Sequence, residues 1–143
     1  MRLVFMLILF FAATLPSRAA AGVLGDWRSP TQSFVRIEPC GNSVCARLIK
    51  LPPSAPVTTD TKNPNSALRR RPLCGLAIGT GFHADDADHL TGGRLYDPQS
   101  GKTYKGSMTA SGNTLKLRGY VGLPAFGRTE TWQRTPAIEA CKP

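Results

Sequence analysis

Histidine is nearly missing from this chain. It has 2 in 143 residues, which leaves little room for a three-histidine metal site. Acidic residues are scarce as well: 9 Asp+Glu stand against 18 Lys+Arg, for a formal charge of +9 and a pI near 10.0. At 19% charged and 41% hydrophobic, the chain is too weakly charged for a disordered polyelectrolyte and apolar enough to build one core. No G-x-S-x-G elbow, P-loop or dinucleotide fingerprint occurs, and neither His lies beside a Ser or free-Cys signature. Nucleophilic hydrolysis and nucleotide binding therefore find no support, and no cofactor is implied. Helical periodicity is almost absent too.

The one long apolar run is N-terminal. Residues Met1 to Ala21 read MRLVFMLILFFAATLPSRAAA, with Arg2 as a positive start, Leu3 to Phe11 as the apolar stretch and Ala19-Ala20-Ala21 as small residues before a cut. A bilayer span needs about 20 apolar residues, and Pro16, Ser17 and Arg18 end this run short of that. The expectation is a cleaved signal peptide over 1–21 and a single exported domain over 22–143, periplasmic or secreted. Without Arg2 and Arg18 that domain holds 16 Lys+Arg against 9 Asp+Glu, a charge of +7.

Export changes how cysteine reads. Cys40, Cys45, Cys74 and Cys141 form an even set with no C-x-x-C pair, which favours disulfides over zinc. Four cysteines allow three connectivities. Cys40 and Cys45 flank the turn Gly41-Asn42-Ser43-Val44 between two strand-like runs, so a cross-strand bridge there is easy; Cys74 is then left with Cys141.

The rest of the chain alternates in short segments broken by turn residues, the pattern of antiparallel strands. Val35 and Ile37 oppose Arg36 and Glu38; Ala46 and Leu48 oppose Arg47; Leu73 to Phe82 is apolar and glycine-rich. Asp97-Pro98-Gln99-Ser100-Gly101 is a hairpin turn, Ser111-Gly112-Asn113 a second. Leu115, Leu117 and Val121 alternate with Lys116, Arg118 and Tyr120, and a last strand runs Gly127 to Arg134. With Leu24 to Arg28 at the start, about eight strands result. The expected fold is all-β, a small eight-stranded antiparallel up-and-down barrel, filled or holding one small ligand, with a β-sandwich as the alternative. The prolines of Leu51 to Thr61 mark a long surface loop, and one short helical turn is expected over Asn63 to Arg69, with Asn63 as its cap.

The pattern Gly25-Asp26-Trp27 at the first strand, with Arg134 (or Arg128) on the last, resembles the lipocalin and wider calycin superfamily. That resemblance implies a Trp closing the barrel base under a packed Arg. A closer resemblance spans nearly the whole domain, carried by GDW at 25–27, CGNSVC at 40–45, NPN at 63–65, RPLCG at 71–75, GGRLYDP at 92–98, GKTY at 101–104, LRGY at 117–120 and GRTETWQR at 127–134. These are similar to domain-of-unknown-function family 2147, exported bacterial proteins. The resemblance implies a lipocalin-like barrel and an export compartment, and no established activity. It also implies an aromatic residue just before Gly92-Gly93, where this chain has His89-Leu90-Thr91.

Three constellations are candidate sites. His83, Asp85, Asp86, Asp88 and His89 fall within seven residues, a density that imidazole- or carboxylate-binding metals could use, although no established ligand spacing matches; the alternative is a polar loop with Asx turns. Phe126, Arg128, Glu130, Trp132 and Arg134 share one face of the last strand, so Arg128 and Glu130 form a charged pair within or at the mouth of the barrel, beside Trp132. Arg69-Arg70-Arg71 next to Asn63 is a basic loop that either binds an anion or is simply solvated, and Arg71 and Asn63 are placed at a mouth.

Basic charge spread along strands, without interleaved aromatics, does not point to nucleic acid. The expected function is non-enzymatic: a monomer binding a small amphipathic molecule or an anionic envelope component. The alternatives are a periplasmic inhibitor module, disfavoured against a basic target by the +7 charge, and a metal enzyme using the His83–His89 loop.

Overall fold

A computed structural model describes residues 22–143; the expected signal segment 1–21 lies outside the described residues. Eight antiparallel strands close in sequence order into one barrel: β1 (Gly25–Arg28), β2 (Phe34–Cys40), β3 (Ser43–Lys50), β4 (Ala77–Ala84), β5 (His89–Asp97), β6 (Lys102–Ser111), β7 (Thr114–Tyr120) and β8 (Arg128–Thr135). Closure is made by β1 against β8, with Trp27 opposite Arg134. Up-and-down order puts the β1–β2, β3–β4, β5–β6 and β7–β8 connections at one end, called here the loop end. The three tight hairpins β2–β3, β4–β5 and β6–β7 share the other.

Alternation drives this arrangement. Trp27, Val35, Ile37, Ala46, Leu48, Leu90, Met108, Leu115 and Trp132 point inward and are buried, while Arg36, Arg47, Lys116 and Arg118 point outward. Two bends interrupt it: Gly81 and Gly92, at φ of 70° each, take left-handed backbone within β4 and β5, where the pairing registers skip. The bend in β4 brings Phe82 inward. A Cβ on the inward Gly93 would lie 2.4 Å from the Phe82 ring, and one on Gly106 would lie 2.4 Å from Leu95 Cδ1. Side chains of Phe82 and Leu95 thus fill the space that glycine leaves inside the barrel at that level. Leu73, from the long β3–β4 connection, is buried in the same cluster.

Both disulfides, Cys40–Cys45 and Cys74–Cys141, are formed. The second ties the tail, whose Cys141 N–H donates to Ile49 O at 2.7 Å. The tail covers the outer face of β1–β2. There Arg36 donates to both oxygens of Asp26 at 2.7 and 2.8 Å, and the Ile138 N–H adds a third bond at 2.9 Å. Those donors outweigh burial and hold the Asp26 carboxyl below the usual carboxylate range, the Arg36 bond being the largest cause.

Three expectations need correction. Among the described residues there are two short 3-10 turns, Ser66–Leu68 and Pro124–Phe126, not one. The first is capped by Asn65, whose Oδ1 accepts from the Ala67 N–H at 3.0 Å; Asn63 is drawn away into a buried hydrogen-bond cluster. Val121 is not a core position, because β7 ends at Tyr120 and the following loop leaves Val121 72% exposed.

Candidate functional site

The long connection 51–76 is organised by a carboxylate. Asp60 has no solvent exposure. Its Oδ1 accepts the Tyr96 hydroxyl at 2.5 Å; its Oδ2 accepts Asn63 Nδ2 and Arg71 Nε, each at 2.8 Å. Burial acts against the Asp60 charge, but Tyr96, Asn63 and Arg71 together hold its carboxyl below the ordinary range. Burial and the adjacent carboxylate push the Tyr96 phenol up to about 12. Arg71 also lies over the Tyr96 ring, 5.6 Å from its centroid. The loop is thereby pinned to the outer surface of β5.

This pinning builds a cleft of about 250 Å³ outside the barrel, between the loop and β4–β6. Its polar lining is Asn63, Arg71, Thr80, Arg94, Tyr96 and Thr103. Cross-strand pairing explains the set: Thr80 stands opposite Arg94, and Tyr96 opposite Thr103, on the face away from buried Leu95. A second cleft of about 280 Å³ adjoins it, lined by Arg94, Lys105 and Tyr120 beside Gly92 and Gly93. Arg94, Lys105 and Tyr120 are successive cross-strand partners on β5, β6 and β7. Arg94 belongs to both clefts, and among the described residues no acid lines either. Among the described residues Arg94 and Lys105 take part in no ion pair. Chemically, the two clefts set the Arg94 and Lys105 cations beside the rings of Tyr96 and Tyr120.

The residues singled out from the sequence do not form one site. Arg128, Glu130 and Trp132 follow one face of β8. Trp132 is buried and donates Nε1–H to Glu130 Oε2 at 2.9 Å, whereas Glu130 and Arg128 are exposed toward the loop end. Arg128 and Glu130 are not an ion pair among the described residues, which corrects the expected charged pair. Near the mouth both side chains reach water, so neither needs the other to remain charged. Asn63 and Arg71 sit in the outer cleft, on the other side of the barrel wall from Trp132.

The His83–His89 segment spans the end of β4, its hairpin and the start of β5. His89 Nδ1 meets the Asp86 carboxylate at 2.8 Å, which raises the His89 pKa and lowers that of Asp86; Asp85 instead accepts Thr91 Oγ1. No group of three or more His, Cys, Asp or Glu side chains gathers for a metal ion among the described residues. Gly25, Trp27 and Arg134 meet at the hairpin end. The Arg134 guanidinium lies 4.2 Å from the Trp27 ring centroid, and a Cβ on Gly25 would sit 3.2 Å from its terminal nitrogen.

Arg94 and Tyr96 escaped the sequence reading as site residues. Their signal was present, as two polar-tipped side chains alternating with Leu95 in GGRLYDP, but the loop that covers them comes from more than 20 residues upstream.

A closed eight-stranded meander with its Trp–Arg closure defines a lipocalin-like barrel. Protein HP1028 from the human pathogen Helicobacter pylori, described as belonging to the lipocalin family, is similar in structure: TM-score 0.74 at 23% identity, covering 82% of this chain and 85% of that one. The chain belongs to the bacterial family DUF2147, described as an uncharacterised protein conserved in bacteria, whose family model matches residues 25–134. No curated protein sequence matches it.

Proposed function

We propose that this is an exported, monomeric, non-enzymatic binding protein for a small anionic, amphipathic ligand, held in the outer cleft and not inside the barrel. The observation that carries this is Arg94, an unpaired cation shared by two adjoining clefts without acidic lining. Phe82 over Gly93 fills the barrel interior at that level, which favours the wall over the interior for a ligand. Neither cleft offers a carboxylate, His or Cys to act as base or nucleophile, which favours binding over chemistry. Two disulfides in 122 residues and the N-terminal apolar run support export.

Calorimetric titration with lauryl phosphate, and separately with inorganic phosphate, tests the reading. Residues 22–143 should bind the amphiphile, and Arg94→Ala should weaken it about tenfold or more, the usual scale for losing a charge-assisted contact. Unchanged affinity in Arg94→Ala would sink the outer cleft. The inner face of β8 is the second reading, favoured by the Trp132–Glu130 bond near the mouth. In that case Glu130→Gln and Arg128→Ala, not Arg94→Ala, would lower affinity.

A further inference from the structure

Among the described residues, five of the six exposed large apolar side chains, Val57, Leu68, Val121, Leu123 and Phe126, belong to connections that leave the loop end. The greatest exposure is concentrated in the β7–β8 loop, where Val121, Leu123 and Phe126 are 72%, 64% and 81% exposed. An isolated exposed leucine needs no explanation, but three such side chains within six residues form a patch. The loop is not slack. Its Phe126 N–H donates to Leu123 O at 3.1 Å, and Gly127 N–H to Pro124 O at 3.2 Å. From the outer wall the Arg118 guanidinium grips Pro124 O and reaches Thr129 Oγ1 at 2.8 Å. These bonds hold the apolar side chains outward on a fixed turn, instead of letting them fold back over the barrel.

Charge is sorted along the same axis. From Pro98 to Thr129 there is no Asp or Glu, while Lys102, Lys105, Lys116, Arg118 and Arg128 fall in that stretch. Lys102 and Arg128 stand at the loop end, next to the patch. The opposite end carries Asp85, Asp86 and Asp88 in the β4–β5 hairpin. The loop end also holds Asp97, opposite Lys102, and Glu130, two residues along β8 from Arg128, but the three-aspartate cluster lies at the far end. An apolar tip flanked by cations is complementary to a surface that is negative outside and apolar beneath.

We propose that the loop end docks on an anionic phospholipid bilayer, with Val121, Leu123 and Phe126 entering the headgroup boundary and Lys102 and Arg128 meeting lipid phosphates. Apolar burial and electrostatic attraction act together in interfacial binding of this kind. The half-buried Tyr120, at the base of the loop, suits the interfacial depth, since its ring is apolar and its hydroxyl polar. Arg118 acts as a positioning residue that sets the angle of the turn. Tyr120 also borders the second cleft, but Val121, Leu123, Phe126, Lys102 and Arg128 line neither, so docking tested at those residues and ligand binding tested at Arg94 stand or fall separately.

Vesicle flotation with residues 22–143, which contain every strand and both disulfides, is the test. The protein should float with phosphatidylglycerol-containing vesicles, stay behind with phosphatidylcholine alone, and release as salt is raised. A Val121→Ser, Leu123→Ser, Phe126→Ser triple variant should lose about tenfold or more in partitioning. Its thermal unfolding should stay unchanged, because these side chains support no core. Phe126→Trp should keep binding, and its emission, against the parent protein as background, should shift to the blue on vesicles. Docking is overturned by no flotation of the parent protein, by equal binding to both vesicles, or by equal binding of the triple variant. It is also overturned if the patch proves to be a self-interface, with dimers that the triple variant dissolves and no vesicle binding.

Discussion

Tyr96 donates its hydroxyl to Asp60 at 2.5 Å across 36 residues of sequence, and this bond fastens the longest connection of the barrel to its wall. Since the Asp60 pKa lies lower in the fold than in an unfolded chain, its contribution to stability is complete above the unfolded value of about 3.9 and is lost as pH falls through the folded value. Asp26 behaves alike. Tyr96 has the opposite sign: raised to about 12, it supports the fold fully below its unfolded value of about 10 and ceases to as pH rises through 12. Thermal midpoints should therefore fall below about pH 4 and hold up to about pH 9, apart from a small decline above about pH 6.5 as His89, raised by Asp86, loses its proton. Asp60→Asn should shrink the acid limb, and Tyr96→Phe should cost about 1–3 kcal/mol at neutral pH for the donor lost to a buried carboxylate. An acid limb of equal size in Asp60→Asn would show that other carboxylates carry it.

Phe82 and Gly93 share one space, and the two substitutions should not add. Phe82→Ala removes a fully buried ring and should cost about 3–5 kcal/mol. Gly93→Ala places a methyl where the ring lies, 2.4 Å away, and should cost about 1–3 kcal/mol. In the double variant the new methyl meets vacated space, so the total should fall clearly short of the sum. Urea unfolding of the four proteins checks this; strict additivity would mean that the ring does not occupy the space over Gly93.

Much of the fold was legible in alternation, because inward and outward positions differ in chemistry wherever one face of a strand is packed. Val35 and Ile37 against Arg36, or Leu115 and Leu117 against Lys116, show their faces without any tertiary knowledge. The Asp97–Gly101 turn is legible for a similar local reason: Gly101 takes φ of 74°, and its N–H returns to Asp97 O at 2.7 Å. Illegibility begins where partners are distant. Nothing around Asp60 marks it as the least exposed acid of the chain, since Tyr96 and Arg71 reach it from other segments. Asn63 looked like a helix cap because local rules favour it there; a buried carboxylate outcompeted the turn for its side chain, and Asn65 took the cap. The left-handed bends at Gly81 and Gly92 shift the register, which hid which of the β4 and β5 residues line the wall.

The two disulfides should differ in weight. Cys74 and Cys141 are 67 positions apart in sequence and Cys40 and Cys45 only 5. Loop-closure entropy assigns roughly 4 kcal/mol to the first and about 2 kcal/mol to the second. Cys74→Ala with Cys141→Ala also frees the tail, so Asp26 loses the Ile138 N–H and becomes wet. Denaturant midpoints of the two double variants should rank accordingly, and brief proteolysis should trim only the Cys74/Cys141 variant at its C-terminus. Equal midpoints would mean that tail packing adds nothing to the tether.

Arg134 closes the hairpin end in a way lysine cannot copy. Its guanidinium lies over the Trp27 ring, 4.2 Å from the centroid, and donates to the carbonyls of Gly22, Leu24 and Gly112, joining the chain before β1 to the β6–β7 hairpin. Burial lowers its pKa, with Asp88 acting in the opposite direction. Stacking and several donors in one plane need the forked guanidinium; an ammonium supplies one point charge. Arg134→Ala should cost about 2 kcal/mol or more, and Arg134→Lys should recover less than half of that. Trp27 emission should also shift in Arg134→Ala, because its ring loses both the cation and its cover from water. Full recovery by lysine would reduce the contact to simple charge, and the planar closure of the barrel would have to be abandoned.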